Sequence, residues 1–219
     1  MPNHTANNFT VTGPTADVER FIKQAQGSTA IDFNSLLPMP EELRGTSSPV
    51  RIQTQAEIDT LWAEYNRQKQ AGTLHEFELK ENKPFGLGIT QEQYGALLAK
   101  YGTADWYNWA VNNWGTKWGA YDVTKWSVNG IDSETSAATI YYETAWTPAT
   151  ALWLTVSKMY PTLTFFHEFA DEGGGFLGNE TIENGDIVDE QEFEWNSDEG
   201  VTLREGLGRY YPEDEAGEE

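Results

Sequence analysis

Between Thr139 and Phe169 the sequence changes period twice, and this constrains the fold more than any other feature. The run Thr139-Ile140-Tyr141-Tyr142-Glu143-Thr144-Ala145-Trp146 is rich in β-branched and aromatic residues and is expected to be a strand. Thr147-Pro148 then opens a helix, with Leu152, Val156 and Met159 on one face and Pro161 as the stop. Leu163 to Phe169 returns to strand. A strand, a helix and a strand in so short a span predict two strands of one sheet with the helix packed on its face.

The start of the chain offers the same order. Phe9-Thr10-Val11-Thr12 reads as a short strand ended by Gly13-Pro14. A helix follows, with Thr15 as its expected N-cap, Val18, Phe21, Ile22 and Ala25 on one face, and Gly27 as its stop. Ile31 to Leu36 alternates like a half-buried strand until Pro38-Met39-Pro40 breaks it. Residues 41–108 carry helical signals instead. Thr54 with Glu57 and Thr90 with Gln93 are capping boxes, each ahead of an apolar helical face, and Gly102 ends the second helix. Lys125 to Val128 is a weak strand candidate, and Phe176 to Asn179 with Ile187-Val188 could close a hairpin. The expected fold is therefore α+β: a ferredoxin-like split βαβ antiparallel sheet with two helices on one face. A mainly helical insertion at about 41–108 interrupts it. The domain is expected to span 1–190, with 191–219 as a loosely docked acidic C-terminal tail.

The chain has no cysteine, which excludes disulfides, thiolate metal sites and a cysteine nucleophile. Met1 to Thr10 lacks the basic and apolar regions of a signal peptide, and no apolar run approaches a membrane span. A cytoplasmic location is expected. Net charge is −21, and its placement is uneven. Residues 171–219 hold 17 acidic residues against two arginines, so most of the excess sits in the last quarter of the chain. Such a field repels nucleic acid and anionic membranes and attracts basic surfaces.

Several runs carry a family resemblance: Asn8 to Gly13, Phe33 to Leu43, Asn113 to Asp122 and Thr144 to Pro148, with Phe169 to Gly173 fitting as well. They resemble the YubB ferredoxin-like proteins of phages and conjugative plasmids. The resemblance implies the ferredoxin-like fold and a mobile-element origin. It implies no activity, no cofactor and no catalytic residues, and the acidic C-terminal end lies outside the runs that carry it.

Three groups of residues could bear chemistry. Trp106, Trp109, Trp114, Trp118 and Trp126 crowd one segment beside Lys117. They could form a stacking or anchoring surface, but core packing is the more economical use of such rings. His167 and Glu168, with Asp171 and Glu172 nearby, invite an acid–base or metal role, yet the spacing of a ligand set is missing. Asp186, Asp189, Glu190, Glu192, Glu194, Asp198 and Glu199 lack the spacing of a calcium loop and could imitate the phosphates of DNA. The expectation is a non-enzymatic phage or plasmid protein. It would bind and inhibit a host defence or nucleic-acid-handling protein through these seven acids, with Trp114 and Trp118 as anchors. The alternative is a single-stranded nucleic-acid binder using exposed aromatics of the sheet and the Trp segment, where Lys80, Lys83, Lys117 and Lys125 would have to cluster.

Overall fold

The computed structural model describes residues 3–209. These divide into two units: residues 39–109 form one, and the flanking segments together form the other.

The sheet unit contains β1 (His4–Pro14), α1 (Thr15–Ala25), α2 (Phe33–Leu36), β2 (Ser127–Gly130), β3 (Thr135–Ala145) and α8 (Thr150–Ser157), then β4 (Thr164–Asp171), β5 (Leu177–Glu183), β6 (Asp186–Glu192) and α9 (Asp198–Gly206). Its strands lie in the order β2-β3-β1-β4-β5-β6, with every neighbouring pair antiparallel. β3 and β4 flank β1, run parallel to each other and are joined through α8. β1 and β2 flank β3 and are joined through α1 and the intervening unit. These are two interleaved split β-α-β units, which is the ferredoxin-like topology. β5 and β6 extend it beyond β4.

Strand alternation decides what each face buries. On one face, Phe9 stacks on Trp153 of α8 with centroids 4.0 Å apart and packs against Phe21 of α1 and Phe165 of β4. Phe33 and Tyr142 meet Trp153 edge-on, and the Trp153 indole N–H donates to the Tyr142 hydroxyl. All six of these aromatic residues are fully buried. On the opposite face, Ala6, Ala170 and Leu177 are covered by Phe193, Trp195, Leu203 and Leu207.

Four expectations need correction. α8 opens at Thr150, with Ala149 in the N-cap position, and not at Thr147-Pro148. Ile31 to Leu36 is not a strand. The Asp32 carboxylate accepts the Asn34 amide and caps the short helix α2, whose Phe33 and Leu36 are both buried at helical spacing. The second strand of the ferredoxin-like order is instead β2, close to the weak candidate at Lys125 to Val128, so the insertion precedes that strand. Thr15 is the first residue of α1 and not its cap; its hydroxyl donates to the Glu134 carbonyl. Finally, residues 191–209 do not trail off. A boundary at 190 falls inside β6, and α9 packs on the sheet because its apolar anchors outweigh the surrounding charge.

The second unit holds α3 (Glu41–Arg44), α4 (Gln55–Ala71), α5 (Glu76–Glu81) and α6 (Gln91–Tyr101), while α7 (Trp106–Trp114) crosses its boundary. Both capping boxes are formed, and α4 and α6 end at Gly72 and Gly102 in the left-handed conformation.

Candidate functional site

The acidic edge is built by a hairpin. Asn184 (φ 48°) and Gly185 (φ 93°) supply the two left-handed residues of a tight turn, and the Gly185 amide donates to Ser157 Oγ. β6 emerges from this turn as the outermost strand, with all seven residues exposed. Glu190 and Glu192 lie opposite Glu180 and Gly178 and project on the α8 side. Asp189 and Asp186 lie opposite Thr181 and Glu183 and project on the α9 side. A bulge at Val188 adds local twist. Glu194 follows on the connecting loop. Asp198 and Glu199 occupy the first turn of α9, where the helix dipole favours them, and Ser197 caps that helix by accepting the Gly200 amide. All seven carboxylates are exposed, and none forms an ion pair among the described residues.

The two tryptophans do not join this edge. Trp114 is only 3 % exposed and donates its indole N–H to the Leu37 carbonyl at 2.9 Å. Its expected place in a partner surface is corrected: it is a core residue. Trp118 is half-buried, with Lys117 4.8 Å above its ring and 4.7 Å from the Trp146 ring. It precedes Tyr121, which bridges to β3. Four strand spacings, ~19 Å, separate β3 from β6.

Where α9 crosses the sheet it leaves a groove of about 620 Å³. Asn8, Glu168, Asn179 and Gln191 form its floor, and Asp198, Glu199 and Thr202 its rim. Asn8 Nδ2 donates to Glu168 Oε2 at 2.7 Å, so Glu168 faces away from His167.

His167 itself is sealed inside. It is fully buried between Phe9, Tyr142 and Phe169. Its partner is Glu180 of β5, whose Oε1 lies 2.9 Å from Nδ1 and also accepts from Thr150 Oγ1. Nε2 lies 2.9 Å from Asn7 Oδ1. The Asn7 amide nitrogen is occupied by donation to the carbonyls of Thr5 and Tyr142 and to Thr144 Oγ1, so its oxygen must face the ring. Both ring nitrogens therefore face oxygens, and Nε2, opposite an amide oxygen that can only accept, is the one that donates to Asn7. This closed network offers a substrate no access. Sequence spacing alone missed Glu180, which lies opposite His167 in the β4–β5 register, across the turn at Gly173-Gly174-Gly175.

At the other end of the sheet, Arg209 Nη2 donates to Glu143 Oε2 and to the His4 carbonyl, and the Tyr141 hydroxyl donates to Glu143 Oε1. Burial, reinforced by the charges of Glu143 and Asp122, pushes the Tyr121 phenol up to about 12. Burial also raises Tyr141 and the fully enclosed Tyr142 well above the ordinary phenol range. The folded protein thus keeps protons that the unfolded chain releases from pH ~10 upward. Stability from these groups is complete below ~10 and falls as pH rises toward 12. Melting temperature should drop between pH 10 and 11.5, with phenolate absorbance at 295 nm lagging that of free tyrosine. A flat melting curve over that range would remove this linkage.

Residues 113–210 match the family described as "Ferredoxin-like domain in Api92-like protein". The matched span runs from the end of α7 to just beyond α9 and includes the acidic edge. Among solved structures, the crystal structure of a protein api92 from Yersinia pseudotuberculosis is similar, with a TM-score of 0.47 at 11 % identity over 88 % of this chain and 98 % of that one. No curated protein matches the chain. Among the described residues, no helix is long and apolar enough to cross a membrane.

Proposed function

We propose that the protein is a non-catalytic binding module of mobile-element origin, acting in the bacterial cytoplasm. Its acidic edge meets the basic surface of a host defence or nucleic-acid-handling protein and blocks the channel that nucleic acid would enter. The observation that carries this is the run from Asp186 to Glu199, with seven exposed carboxylates and no Lys or Arg, held on an ordered strand and helix. β6 spans ~23 Å at ~3.3 Å per residue, so its four carboxylates stand one per ~6 Å. One strand of DNA carries a charge per ~3.4 Å. The edge therefore reproduces somewhat over half of a nucleic-acid strand's linear charge density. That suffices for salt-sensitive capture of a basic groove.

The sheet itself is a poor platform for single strands. One face is filled by α1 and α8, and the other is partly covered by α9 among the described residues.

The test is capture from nuclease-treated bacterial lysate, comparing the native chain with a D186N/D189N/E190Q/E192Q variant. The native chain should retain a nucleic-acid-binding protein at low salt, release it by 0.5 M salt, and lose it to competing duplex DNA. The neutralised variant should retain at least tenfold less. Capture that DNA does not displace, or that the variant preserves, would overturn the mimicry.

A further inference from the structure

The second unit carries a pocket of the opposite character. A cavity of about 450 Å³ is lined by Arg44, Arg51 and Lys83 together with Phe77, Phe85 and Trp106. The chain has 35 acidic residues and 14 basic ones, yet this lining holds three cations against a single carboxylate, Glu81.

Two of those cations are fixed in place without being neutralised. Arg51 Nη1 donates to the Gly86 carbonyl at 3.3 Å, and Lys83 Nζ donates to the Gly45 carbonyl at 3.1 Å. Among the described residues neither pairs with a carboxylate. A guanidinium has five donors and an ammonium three, so most of this capacity is left for a ligand. Gly86 makes the approach possible: its φ is +77°, and a Cβ there would lie 2.7 Å from Arg51 Nη1. Arg44, by contrast, is already engaged by Glu41 at 3.4 Å.

The rings are presented rather than buried. Phe77 and Phe85 meet edge-on with centroids 5.5 Å apart, which leaves ring faces open. Phe85 is 67 % exposed and Phe77 38 %, unusual for rings that share a cavity wall. Pre-positioned cations beside open aromatic faces suit an anion attached to a flat ring. The volume falls within the ordinary range for small-ligand sites.

We infer that this pocket binds a nucleotide, with the phosphate on Arg51 and Lys83 and the base against Phe77 and Phe85. The same chemistry is offered by a free nucleotide and by the end of a single strand. The site is independent of the acidic edge, and its ligand is the chemical opposite of the partner proposed there.

Calorimetric titration of the full chain at low salt with adenosine 5′-monophosphate, adenosine, inorganic phosphate and the oligonucleotide (dT)8 tests the assignment. The monophosphate should bind at least tenfold more tightly than adenosine or phosphate. R51Q and F85A, both at exposed positions, should each weaken it at least fivefold with circular dichroism and melting unchanged. Tighter binding of (dT)8 than of the monophosphate would assign the site to strand ends; weaker binding would assign it to free nucleotides. Phosphate binding as tightly as the monophosphate, no binding of the monophosphate or (dT)8 at millimolar concentration, or full affinity in both variants would overturn the inference.

Discussion

Glu180→Ala is expected to destabilise the protein by about 2–5 kcal/mol, because it leaves the buried Nδ1 of His167 without its hydrogen-bond partner and opens a cavity beside it. Domain stability is typically about 5–15 kcal/mol, so urea denaturation should find the variant close to unfolding at 37 °C. Thr150 would lose its acceptor at the same time. The H167L/E180L double variant separates the hydrogen bond from the space the two side chains fill. Replacing both polar partners with apolar residues of similar volume should recover much of the loss, since neither is then left buried without the other. A single-variant loss below about 1 kcal/mol would mean that the network contributes little, and that Phe9, Tyr142 and Phe169 carry this part of the core alone.

Arg204→Ala should release the C-terminal segment from the sheet. Arg204 is 1 % exposed, its Nε donates to the Trp195 carbonyl and its Nη1 to the Arg209 carbonyl, and its guanidinium lies 5.8 Å from the Trp195 ring. Its loss removes a large buried stem and leaves two carbonyls without a charged donor, an effect of about 2–5 kcal/mol. The change should concentrate in α9. Amide exchange should accelerate at least tenfold across residues 198–207 and stay unchanged in β1 and β3. Uniform acceleration across the whole sheet would show instead that α9 and the sheet unfold as one unit. With α9 loose, Asp198 and Glu199 would no longer hold their places beside β6.

The starts of α4 and α6 were legible because their caps are local. Thr54 with Glu57 and Thr90 with Gln93 form capping boxes across three residues and need no tertiary partner. β3 and β4 were legible in part for a similar reason, through their β-branched and aromatic residues, whereas β1 was read only from Phe9 to Thr12 because His4 to Asn8 lacks that signal. Ile31 to Leu36 misled because six residues can satisfy an alternating and a helical period together, and the Asp32 cap decides between them. The acidic end misled differently. Its average composition hid Phe193, Trp195, Leu203 and Leu207, four apolar residues whose separation in sequence gives no short period. A chain cut at Gln191 would therefore bare Ala6, Ala170 and Leu177, and its behaviour would mix lost acidity with lost packing. The candidate edge was visible as charge, but its strand geometry depends on a turn at Asn184-Gly185 that charge counting does not consult.

The central position of β1 has a consequence for how the chain reaches this state. The first strand made is the one on which the sheet is assembled, yet its partners β3 and β4 are synthesised ~120–165 residues later. Until then its backbone donors and acceptors are satisfied only by water, and Phe9 and Val11 have no core to enter. The helices of residues 39–109 depend on near neighbours and can form during this wait. Assembly of the sheet should thus be a late, slow step that follows the helical unit. A nascent chain stalled before β4 would present an unpaired strand edge, the species most in need of a chaperone.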